Sequence, residues 1–122
     1  MVRQVKHHSL GKLEIYIAPA HKVRHGSRSL FRKLFPKSVY MHLLEEAKKD
    51  GIVNASAHST HTSYTTDGKI TTFSAEGDNS KLAMCVELVD KREKLEQFFL
   101  KHRESLRGKA VIYKEVEFWD IE

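Results

Sequence analysis

Two histidines, His58 and His61, stand inside the run Ser56-Ala57-His58-Ser59-Thr60-His61-Thr62-Ser63-Tyr64-Thr65-Thr66. A neutral imidazole is a common ligand for transition metals, so the pair is a candidate metal site. A spacing of three sets them on opposite faces of an extended strand, and one intramolecular site then needs a turn or a neighbouring chain. No cysteine pair and no helical His-Glu arrangement completes a zinc set. The plain alternative is two hydrogen-bonding histidines in a polar segment. The chain holds eight histidines in 122 residues. His7 and His8 fall in a polar, basic first segment, 1–11, that reads as a tail. His21 and His25 fall in a basic loop, and His102 falls on the core face of a helix.

A second candidate chemistry is anion binding. Residues 21–37 carry Lys22, Arg24, Arg28, Arg32, Lys33 and Lys37 without an acid. Arginine and lysine give charge-assisted hydrogen bonds to phosphate or carboxylate, and a solvated loop reads the same way. Gly108-Lys109 offers an amide and an ammonium at a helix end, suited to phosphate or simply to a helix stop. Glu87 sits among apolar residues and costs free energy if unpaired, so it faces a cleft or a salt-bridge partner. Cys85 lies in the same apolar strand, where thiols are ordinarily inert. No nucleophile–base pair and no paired carboxylates stand out, and the reading is of a protein that is not an enzyme.

The elements that must position these groups follow from periodicity. Leu13 to Ala18 alternates as a strand and Pro19 ends it. Residues 20–38 form a basic insertion with one short helix near 29–35, stopped by Pro36. Ser38 is a plausible N-cap for a helix from Val39 to Asp50, with Val39, Leu43 and Ala47 on its apolar face and Gly51 as its stop. Ile52 to His58 is a second strand. Residues 58–80 form a long polar loop or ribbon with a hairpin turn at Asp67-Gly68. Stretches beyond about 12–15 residues with so little to bury are usually functional or disordered. Leu82 to Val89 reads as a central strand. Asp90 and Glu93 have the spacing of a capping box for the next helix, whose core stripe is Leu95, Phe98, Phe99, His102 and Leu106. Gly108 ends that helix and Ala110 to Phe118 is the last strand. The order β-α-β-β-α-β predicts an α+β, ferredoxin-like domain spanning 1–122: a four-stranded antiparallel sheet with two helices on one face.

Composition bounds the class. A formal charge of +5 favours anionic partners without selecting one. There is one cysteine, so no internal disulfide, and a reducing, cytoplasmic setting fits. No apolar run is long enough for a membrane span.

Leu13-Glu14-Ile15-Tyr16-Ile17, the run Val39 to Ile52, Val86-Glu87-Leu88-Val89-Asp90 with the helix after it, and Gly108-Lys109-Ala110-Val111 together resemble the PII-like signalling proteins, and most closely their uncharacterised bacterial and archaeal branch. The resemblance implies a homotrimer with clefts between subunits that hold a small anionic metabolite or an adenine nucleotide, with no cofactor required. It implies ligand contacts from Ser56, Glu87, Gly108 and Lys109, and the base-only segment offers Arg24 or Arg28 to assist them. It implies that the 58–80 loop, through Ser59, Thr60, Thr62, Tyr64, Asp67 and Gly68, reports the ligand to a target, a membrane protein or an enzyme. His58-Ser59-Thr60-His61 replaces the arginine and glycines usual after strand two in relatives. Two alternatives remain: a CutA-like metal-binding trimer using His58 or His61, and a nucleic-acid-binding domain using 21–37 with Tyr16 and Tyr113 as stacking residues. The second lacks the flanking signature of such modules.

Overall fold

The computed structural model describes residues 4–17, 39–64, 70–73 and 83–121. The basic insertion with Arg24 and Arg28, the helix near 29–35, Ser38, and the Asp67-Gly68 turn lie outside the described residues. In chain order the described elements are β1 (Val5–Ile17), α1 (Val39–Lys49), β2 (Asn54–Ser59), β3 (Thr62–Ser63), β4 (Thr71–Thr72), β5 (Met84–Asp90), α2 (Arg92–Lys101), α3 (Arg103–Leu106) and β6 (Ala110–Ile121). The main sheet runs β2-β5-β1-β6, all antiparallel, so the expected ferredoxin-like α+β arrangement is observed.

The core lies between one sheet face and the helices. Leu13, Ile15 and Ile17 of β1 and Val86 and Leu88 of β5 pack with Val39, Leu43 and Ala47 of α1 and with Leu95, Phe98 and Leu106. These are the stripes that helical periodicity predicts. Helix α1 stops as expected: Gly51 takes φ 72°, Gly51 N–H donates to Lys48 O at 3.1 Å and Ile52 N–H to Ala47 O at 3.0 Å. That is the Schellman arrangement, in which a left-handed residue satisfies the last carbonyls.

Three local expectations need correction. The first segment is not a tail: β1 starts at Val5 and pairs with β6 from Val5↔Ile121 to Tyr16↔Ala110. Pairing with β5 covers only Gly11 to Ile17, so Val5–Leu10 and Val116–Ile121 form a two-stranded arm past the end of β5. The residues of 5–10 carry no clean apolar alternation, and the backbone of β6 supplies the pairing that their side chains do not announce. Asp90 does not cap α2. The N-cap is Lys91, without a side-chain cap. Asp90 instead accepts the Lys91 N–H at 2.7 Å and the Val53 N–H at 2.9 Å, tying the entry of β2 to the end of β5. The helix expected to run on to Gly108 breaks at His102 (φ −106°, ψ 21°) into α2 and α3.

No described helix is long and apolar enough to cross a membrane.

Candidate functional site

Directly opposed residues in an antiparallel pair share a sheet face. On the face away from the core, pairing aligns three rows across the sheet: His58–Cys85–Tyr16–Ala110, Ser56–Glu87–Glu14–Ile112, and Asn54–Val89–Lys12–Lys114. Among the described residues no helix lies on this face. It is nevertheless built of polar and ionisable groups held close together.

Glu14 and Glu87 stand directly opposite each other, an arrangement that repels unless compensated. Each has a lysine. Lys114 Nζ lies 2.8 Å from Glu14 Oε1, and Lys12 Nζ lies 3.4 Å from Glu87 Oε2. Glu87 therefore has a salt-bridge partner and is partly buried, one of the two environments its sequence position required. The hydrogen bond from Lys114 holds the buried Glu14 carboxyl below its ordinary range, against burial and with help from the charges of Lys114, Lys12 and His58. Burial pushes the Cys85 thiol up, partly offset by a hydrogen bond with Tyr16. Burial, and then Cys85, push the Tyr16 hydroxyl up in turn.

His58 lies within β2 and His61 beyond its end. His61 lies in a bend, with Nδ1 2.9 Å from Thr62 Oγ1 and its ring 5.7 Å from that of Phe73. His58 instead meets Cys85 and Glu87: one ligand atom from each of the three lies within 4.8 Å of the others.

Ser56 is exposed and faces Glu87. Gly108 and Lys109 lie at the other edge. Leu106 to Lys109 forms a tight turn with Arg107 at φ −60°, ψ 129° and Gly108 at φ 79°, the dihedrals of a type II turn, whose third residue favours glycine. Lys109 N–H donates to Leu106 O at 3.1 Å, so that amide is committed, and the ammonium is what Lys109 offers a ligand. Lys109 precedes Ala110, which pairs with Tyr16 in the first row. Three strand spacings, roughly 14 Å, separate that edge from His58 and Ser56.

Among the described residues of the polar segment after β2, Thr62–Ser63 and Thr71–Thr72 pair as a two-residue antiparallel ribbon. Thr60 Oγ1 donates to Ala83 O and meets Ser63 Oγ, both at 2.9 Å, while Thr62 Oγ1 meets Thr72 Oγ1 at 2.8 Å. Ser59 Oγ donates to Thr60 O at 3.3 Å. Tyr64, Ile70 and Phe73 are exposed beside it.

On the core side, a groove of about 570 Å³ opens between the arm and the start of α2, lined by Ser9, Lys91, Arg92, Tyr113 and Glu115 among others. Tyr113 lies under the Arg92 guanidinium, 4.9 Å from ring centre to carbon. Tyr16 is on the opposite face, so the two tyrosines do not form one stacking platform for bases. Sequence reasoning set Cys85 aside as an inert thiol and passed over Lys12, Glu14 and Lys114. Their signal was the alternation Lys12-Glu14-Tyr16, which places polar groups on one face of a strand whose other face is Leu13-Ile15-Ile17.

Against known proteins, the family described as DUF190, Uncharacterized ACR, COG1993, matches residues 11–118. No curated protein matches the chain. Among solved structures, CPII from Thiomonas intermedia K12, a nitrogen regulatory PII-like protein bound to ADP, AMP and bicarbonate, superposes with a TM-score of 0.59 at 10% identity, over 96% of this chain and 92% of that one. A protein from Thermus thermophilus described as a PII-like signalling protein superposes with a TM-score of 0.53 at 12% identity, over 94% of this chain and 92% of that one.

Proposed function

From the premise that this chain belongs to the DUF190 family and has the PII-like fold, we propose that it is a regulatory protein. It binds a small anionic metabolite or an adenine nucleotide in clefts between the subunits of a homotrimer, and it signals to a partner through 58–80. The observation that carries this reading is the split of its candidate ligand positions. Ser56 and Glu87 lie toward the β2 edge, and Gly108 and Lys109 at the β6 edge. One small ligand spans both sets only where the edges of two subunits meet. The exposed ribbon with Tyr64, Ile70 and Phe73 then offers a partner a surface next to the β2 side of that cleft. The structural neighbour bound to ADP, AMP and bicarbonate makes those the first ligands to try. A cytoplasmic setting, with the lone cysteine kept reduced, belongs to the same reading.

Calorimetric titration with ADP tests it. The native protein should bind, and Lys109→Ala should weaken binding by ~1–3 kcal/mol, the scale of a charge-assisted hydrogen bond, or about 5- to 150-fold in Kd. Equal affinity in the two proteins would move the anion site away from the Gly108-Lys109 turn. Failure of ADP, AMP and bicarbonate alike would overturn this choice of ligand class.

A further inference from the structure

The cluster of His58, Cys85 and Glu87 has no part in that reading beyond Glu87, yet its geometry is that of a ligand set. His58 is directly opposite Cys85 across the β2–β5 pair. Glu87 is two residues along the same strand and therefore on the same face. An imidazole nitrogen, a thiol sulfur and a carboxylate oxygen lie within 4.8 Å of one another. A tetrahedral ion with bonds of about 2.0–2.3 Å holds its ligands roughly 3.3–3.8 Å apart. The remaining closure is within reach of side-chain rotation at exposed His58 and partly buried Glu87. The base is a four-stranded sheet with β5 at an inner position, so two of the three ligands come from one well-supported strand.

We propose that His58, Cys85 and Glu87 form a three-ligand site for a borderline-soft divalent cation of the zinc class, with the fourth position left to water or an exogenous anion.

The donor set selects the ion. A thiolate disfavours magnesium and calcium, which take oxygen, and a mixed nitrogen, sulfur and oxygen set suits zinc. Charge balances as well. On binding, the Cys85 S–H bond breaks, sulfur keeps the electron pair for the metal, and the proton leaves to solvent. Thiolate and carboxylate then neutralise the dication. Glu87 exchanges Lys12, now 3.4 Å away, for the metal. Tyr16 stands beside Cys85 in its row, where its hydroxyl can donate to the thiolate and orient it. Because binding takes a proton from Cys85, affinity should rise with pH.

The test uses Co²⁺ as the probe on the purified, reduced full chain. There is one cysteine, so any thiolate-to-cobalt charge-transfer band reports Cys85 alone. Binding of one ion per chain with that band, its loss on adding Zn²⁺, and its abolition in Cys85→Ser are the expected results. His58→Ala changes an exposed side chain and should fold normally. It and Glu87→Gln should each weaken Co²⁺ binding at least about tenfold, and His61→Ala should leave it unchanged. Zn²⁺ should raise the thermal midpoint of the native protein and not that of His58→Ala. Cobalt binding without a thiolate band, or a band equally strong in His58→Ala and Glu87→Gln, overturns the site. ADP binding by His58→Ala separates this result from the fate of the nucleotide reading.

Discussion

Two buried ionisable residues make stability depend on acid in separate ranges. His102 packs its ring 4.5 Å from Phe98, and its Nε2 is buried without a hydrogen-bond partner. Burial pushes its pKa below the ordinary histidine value. The unfolded chain therefore takes up the proton first, and stability falls as pH drops below about 6.5 and through the lower folded pKa. Near it stand Glu46 and Asp50, whose charges favour protonation, Lys101, whose charge opposes it, and the His42 ring at 5.9 Å. His102→Leu should flatten this limb in urea titrations run at a series of pH values. A slope identical to that of the native protein would show that His102 does not govern it. Glu14 acts lower. Its carboxyl is held down chiefly by Lys114, so its contribution is present above the ordinary carboxylate pKa and is lost as pH falls through the depressed value. Lys114→Met should move that loss to higher pH, by an amount tempered by the solvent around the half-exposed ammonium. The sequence showed His102 on the core face, and it could not show that Nε2 would have no partner.

At the scale of elements, the least obvious dependence is between β1 and β6. A Cβ at Gly11 would sit 2.6 Å from the Tyr113 hydroxyl and overlap its ring. The glycine is there so that Tyr113 can lie across β1 beneath Arg92. Gly11→Ala should therefore destabilise by about 1–3 kcal/mol, the range for overpacking. Most of that penalty should vanish in a Tyr113→Ala background, and additive effects in the double-mutant cycle would dismiss the contact. The ribbon differs from the main sheet in what supports it: β3 and β4 pair over two residues each, with exposed apolar neighbours. Amide exchange should be fast over 59–64 and 70–73 and slow over 84–90. Strong protection of the ribbon would make it a fixed arm. Helix α1, its Gly51 stop and the stripe of α2 were legible because each is a local pattern. The role of Asp90 was not, because it depends on Val53, a group distant in sequence.

For the whole molecule, the proposed clefts require more than one subunit, and light scattering should give three times the 14.1 kDa chain mass at micromolar concentration. A monomer would remove the intersubunit site, since one subunit cannot bring Ser56 and Lys109 to one small ligand. The ferredoxin-like order, the core stripes of both helices and the inner position of β5 were determined by the sequence itself. Periods of 3.6 and 2 write the buried face of each element into its own residues. The arm of β1 and β6 was decided only by tertiary structure, because strand pairing through the backbone leaves no mark on a segment whose side chains bury little. So was the company of His58: residues 58, 85 and 87 become neighbours through the register of β2 on β5. Register is a relation between segments, and no spacing along the chain encodes it.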